Sequence, residues 1–99
     1  MSRSDQFVDH LKSRPMVLDG AMGTNIQYLG LTPEDFGGKD GCNEYLIITK
    51  PSAIEQIHSS FLEVGCDALK TNTFGSGIVV LAEYQLHDRV FELNAEAVT

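Results

Sequence analysis

Apolar residues recur along this chain with two periods. After Ser4, the residues Phe7, Val8 and Leu11 fall at helical spacing and Pro15 ends the pattern, which predicts a short amphipathic helix with Ser4 as candidate cap, placed to plug one end of a larger fold. Met16, Val17 and Leu18 form a continuous apolar run closed by Asp19-Gly20, the pattern of a buried parallel strand whose polar tip reaches a site. A short helix is predicted over 21–29. From Gly30 to Asn43, glycines and Pro33 stand among charges, and turn chemistry predicts a loop.

Tyr45, Leu46, Ile47 and Ile48 are apolar and partly β-branched, which predicts a second, very short strand. Pro51 suits the first position of a helix, with Ser52 and Glu55 as an alternative capping box. Ile54, Ile57, Phe61 and Leu62 mark its apolar face, and Gly65 closes it. Ala68 and Leu69 then lead into Thr71-Asn72-Thr73-Phe74, a predicted third strand with hydroxyl and amide groups at its end. Gly75 and Gly77 open the next turn. Ile78, Val79, Leu81 and Ala82 begin another helical pattern, and after His87 or Asp88 the residues Val90, Leu93, Ala97 and Val98 carry a further one to the end. Strands alternating with helices over short links are the signature of right-handed βαβ units. An open doubly wound sheet and a closed barrel both begin this way. Three parallel strands would leave two bare edges, and the last pattern stops without a cap, so the chain reads as the start of a larger α/β domain.

Composition narrows the functions open to such a chain. Its 42% hydrophobic and 21% charged residues are those of a folded globular chain rather than a disordered one. A net charge of −7 repels phosphate backbones and anionic headgroups, which argues against nucleic-acid and membrane partners. Cys42 and Cys66 are too few for a disulfide framework and stand in no short metal-binding spacing, which fits a reducing, cytoplasmic setting. His10, His58 and His87 have packing or solvation as their default roles. The turn Gly20-Ala21-Met22-Gly23-Thr24 matches neither the dinucleotide nor the P-loop spacing.

Three stretches carry a more specific signal. They are Val17-Leu18-Asp19-Gly20-Ala21-Met22-Gly23-Thr24 with Ile26-Gln27; Gly41-Cys42-Asn43-Glu44-Tyr45-Leu46 running on to Thr49-Lys50-Pro51; and Gly65-Cys66-Asp67-Ala68-Leu69-Lys70-Thr71-Asn72-Thr73-Phe74-Gly75. In this order and spacing the sequence resembles the homocysteine S-methyltransferase family from Arg14 to Thr99, and within it the cobalamin-dependent, methionine-forming branch. The resemblance implies that 15–99 is about three βα units of a homocysteine-binding (β/α)8 TIM barrel, truncated within a helix, with 1–14 as an N-terminal helical extension.

The reaction so implied moves a methyl group onto the thiol of homocysteine. Such a thiol needs help to ionise, and in the family a zinc ion held by three cysteines supplies it as a Lewis acid. Those cysteines are expected beyond Thr99, so no metal ligand or catalytic residue is expected within 1–99, and the segment alone is expected to be inactive. What it would contribute is the grip on the amino-acid end of the substrate: Asp19 accepting the ammonium, with Gly20, Thr71, Asn72, Thr73 and Phe74 lining the same pocket. Lys70 stands where family members commonly have Glu and is left out of the expected site. Methyltetrahydrofolate, acting through cobalamin and domains further along, is the implied donor; betaine and S-methylmethionine are the alternatives. A non-catalytic relative acting as an interaction piece is the competing class. Taken alone, Asp19-Gly20 also fits an ordinary strand-to-turn junction, and Thr71 to Thr73 a strand end bonding its own loop.

Overall fold

A computed structural model describes residues 2–99; Met1, first residue of the expected extension, lies outside them. The N-terminal pattern folds as helix α1 (Arg3–Ser13), and its cap is Ser2 rather than Ser4. The Ser2 hydroxyl accepts the Asp5 N–H at 3.1 Å while the Asp5 carboxylate accepts the Ser2 N–H at 3.3 Å. This reciprocal pair satisfies donors that the helix itself leaves open, which is why the boundary falls there. None of α1 is buried. It is tied to the rest through Asp67, whose carboxylate lies 3.5 Å from His10 Nε2 and 3.7 Å from an Arg14 guanidinium nitrogen.

The expected first and third strands do not form among the described residues; what remains is a single parallel bridge between Leu18 and Ala68, the residue that leads into the expected third strand. Asp67 and Asp19 donate their N–H groups to Val17 O at 2.7 Å and Ala68 O at 3.2 Å. Among the described residues no longer ladder forms. Parallel strands are stable when neighbours and covering layers bury them on both sides, and here Val17 and Leu18 remain 56% and 52% exposed. Thr71 to Phe74, expected as a strand end, pass instead through a bend and a turn.

Helix α2 (Met22–Tyr28) follows the bridge directly. The expected loop then contains a 3-10 turn, Pro33–Phe36, with its own capping box from Thr32 and Asp35. The expected second strand is not extended: Asn43–Tyr45 form a 3-10 turn that runs into α3 (Leu46–Thr49), one helical turn. Burial overrides the β-branched composition here. Helical geometry sends Leu46 into one apolar cluster, with Ile26, Phe36, Ile54 and Ile57, and Ile47 into another, with Cys42, Leu81, Leu86 and Leu93.

Helix α4 (Pro51–Glu63) begins at Pro51 as expected, and its N-terminus carries no side-chain cap, so Ser52 and Glu55 do not form a capping box. Ala53, Ile54 and Ile57 are its buried residues. Gly65 follows at φ +97°, a left-handed conformation that costs a side-chain-bearing residue dearly. Helix α5 (Ile78–Glu83) and helix α6 (Val90–Ala97) complete the chain, α6 ending at Ala97 rather than Thr99. Arg89 fastens α6, gripping Glu92 through two nitrogens at 2.7 and 2.9 Å and donating to the Tyr45 hydroxyl at 2.7 Å.

The result is a slab of 45 × 28 × 18 Å with a radius of gyration of 15.1 Å, against about 13 Å for a compact chain this long. Within it two small cores meet at α3, through Leu46 and Ile47. Phe74, Val79, Phe91 and Val98 lie exposed on its surface.

Candidate functional site

The parallel register of the Leu18–Ala68 bridge sets Asp19 and Lys70 beside one another, just past the paired residues. A cleft of about 840 Å³ opens there, walled by residues 19–23, by Asn43 and Glu44, and by residues 70–74. Every residue expected at the site, Asp19, Gly20, Thr71, Asn72, Thr73 and Phe74, is on its wall. They differ in what they present. Asp19 is buried, and Gly20 faces α4 so closely that a Cβ there would stand 3.1 Å from the Phe61 ring. Asn72 is buried and spends its amide on the carbonyl of Asn43 at 2.8 Å, which pins the 70–74 segment to the 43–45 turn. The Thr71 and Thr73 hydroxyls bond one another at 2.6 Å. Phe74, expected as an apolar wall, turns its ring fully to solvent at the rim.

Lys70 and Glu44, left out of the expected site, also line the cleft, and His58 approaches Asp19 from α4. Lys70 donates to Asp19 Oδ1 from both its backbone N–H, at 3.1 Å, and its ammonium, at 2.6 Å; the ammonium also reaches the Asp19 carbonyl. His58 of α4 brings Nδ1 to 3.9 Å from Asp19 Oδ2, and that buried nitrogen has no hydrogen-bond partner among the described residues. Glu44 adds a second carboxylate and accepts the Gly75 N–H at 3.2 Å. Burial of Asp19 disfavours its ionised form, but the Lys70 hydrogen bonds and charge, with a smaller contribution from His58, outweigh that and hold the carboxyl below the usual range. The cleft therefore contains a buried, ionised carboxylate already paired with a cation. Asn43 and Glu44 stand in the second of the three sequence stretches, so their signal was present in the motif; His58 carried none beyond its place beside the apolar face of α4.

Among the described residues no three His, Cys, Asp or Glu side chains gather as a cation site. The chain's thiols do not fit a thiolate zinc site: Cys42 is wholly buried in an apolar cluster, where desolvation pushes its thiol up, and Cys66 belongs to neither cluster. No helix among the described residues is long and apolar enough to cross a membrane.

Comparison with known proteins bears on the same residues. The chain is 47% identical over 88 residues to a methionine synthase of Mycobacterium tuberculosis and 44% identical over 88 residues to a methionine synthase of Mycobacterium leprae. Each alignment covers 89% of this chain and 7% of the relative, so the chain spans a small part of the length of the curated relatives it matches. Residues 16–99, which include every wall of the cleft, match the family model described as Homocysteine S-methyltransferase, and the chain belongs to that family.

Proposed function

We propose that this chain supplies the amino-acid-binding part of a homocysteine S-methyltransferase of the methionine synthase type, as the first βα units of a (β/α)8 barrel. The observation that carries the reading is Asp19, a buried, ionised carboxylate at the floor of the cleft beside the Leu18–Ala68 bridge. In a parallel barrel, substrate sites lie at the C-terminal ends of the strands, and Asp19 directly follows a bridged residue in chain order. A zwitterionic ligand needs an acceptor for its ammonium and donors for its carboxylate. Asp19 is the acceptor; Thr71 and Thr73, with hydroxyls on the opposite wall, are the donors. Asn72 holds that wall in place, and Gly20 lets the floor pack on α4.

The ionisation of the thiol and its methylation are assigned to groups outside 1–99, since the two cysteines present do not make a metal site. Methyltetrahydrofolate is the proposed donor, by way of cobalamin, and the cytoplasm the proposed location. The test is Asp19→Asn in the full-length protein carrying this chain, with homocysteine varied at saturating methyl donor. A charge-assisted hydrogen bond of about 1.5–3 kcal/mol corresponds to roughly a 10- to 150-fold rise in KM. Zinc content should stay at the wild-type level, because the carboxylate acts on the unreactive end of the substrate. An unaltered KM would remove Asp19 from the pocket.

A further inference from the structure

The carboxylate assigned to the ligand is not free. Lys70 takes Asp19 from two sides, its backbone N–H and ammonium sharing Oδ1 at 3.1 and 2.6 Å while the ammonium also reaches the Asp19 carbonyl. The two partners differ sharply in exposure: the Asp19 side chain is 2% exposed and that of Lys70 is 55% exposed. A buried carboxylate has to keep a cation near it. The lysine stem, by contrast, can swing its ammonium into water without desolvation. Among the described residues the other carboxylate oxygen, Oδ2, accepts no hydrogen bond, His58 Nδ1 standing 3.9 Å away and beyond reach, so Asp19 keeps acceptor capacity for a second ammonium when that of Lys70 swings out.

We infer that Lys70 is a specificity-determining residue of the cleft: its ammonium stands in for that of an amino-acid ligand, and the ligand binds by exchanging its own ammonium for it at Asp19. This rests on the reading that Asp19 receives the ligand's ammonium. Exchange of one ammonium for another keeps the buried charge balanced throughout, so the site discriminates against thiols without an amino group, which cannot displace Lys70. It also lowers the affinity for ligands that have one, because each must overcome the internal pair.

Calorimetric titration of the full-length protein at neutral pH with L-homocysteine and with its desamino analogue, sulfanylbutanoate, tests this. Lys70→Met keeps the stem and removes the competitor. It is expected to bind homocysteine about three- to tenfold tighter, the range set by a partly exposed ion pair of roughly 1 kcal/mol, and to leave the analogue unchanged. Lys70→Arg should stay near wild type. Equal or weaker homocysteine binding by Lys70→Met overturns the inference. Asp19→Asn, measured alongside, separates the two levels: if it weakens homocysteine binding while Lys70→Met fails to tighten it, displacement alone is wrong, whereas an unaffected Asp19→Asn sinks both. Limited acetylation of the wild-type protein gives an answer that needs no variant to fold. Saturating homocysteine should raise the modification of Lys70 relative to Lys39, as read by mass spectrometry, and an unchanged or reduced ratio overturns the exchange.

Discussion

Two apolar runs of similar composition meet different fates in this molecule. Leu46-Ile47-Ile48 closes into a helical turn and buries Leu46 completely, while Met16-Val17-Leu18 stays extended, makes one parallel bridge and keeps Val17 and Leu18 half in water. The difference lies in where each run finds its hydrogen-bond partners. A helical turn closes its bonds on itself and then needs only neighbouring side chains, which α4 and α6 provide. An extended run must borrow every partner from another segment, and the one beside it, 67–69, pairs at a single position. The cleft is built on this second, lightly held region, and the first region packs beside it.

Truncating the better-packed run should have the largest effect. Leu46→Ala removes a wholly buried side chain where α3 packs on α4, and a loss of about 2–5 kcal/mol is expected from urea unfolding followed by circular dichroism. A loss below about 1 kcal/mol would mean that the helical turn is not the junction of the two cores.

The contact between the regions is a smaller target. Gly20→Ala places a Cβ 3.1 Å from the Phe61 ring edge, so the ring or the floor of the cleft has to shift by a few tenths of an ångström. The expected cost is about 1 kcal/mol. Phe61→Leu in the same chain should recover part of it, and full additivity of the two changes would show that the two residues do not press on one another.

The smallest global effect, and the most local one, is expected at Asp67. Its carboxylate accepts the Val17 N–H at 2.9 Å and faces His10 and Arg14. That backbone bond, more than the two neighbouring charges, holds the carboxyl below its ordinary range. A carboxyl depressed in the folded chain stabilises it above the unfolded value of about 4, and the contribution fades as pH falls through the lower folded value. Asp67→Asn should therefore speed hydrogen exchange at Val17 and Ala68 at neutral pH while leaving α4 and α6 protected. In the wild type, an NMR titration should move the Val17 amide signal at a pH below 4. Uniform loss of protection would erase the distinction between the two regions.

The sequence by itself determined the elements whose bonds are local. Pro51 and Gly65 bracket α4, the apolar spacing around Ile78 and Val90 locates α5 and α6, and the run from Ala21 to Leu29 contains α2. It also determined the family, through three motifs whose order no single element carries, and it named Asp19 and Gly20 on one wall of the cleft and Thr71 to Phe74 on another, but neither Asn43 nor Glu44 on the third. The tertiary structure decided what depends on distant partners. Tyr45 to Ile48 could be strand or helix by composition, and two separate clusters claiming adjacent residues settled it as helix. The cation on Asp19 was not readable either, because Lys70 lies 51 residues away and meets it only through the register of one bridge. Local patterns fix local hydrogen bonds; which side chain neutralises a buried charge is fixed by the packing that brings two chain segments together.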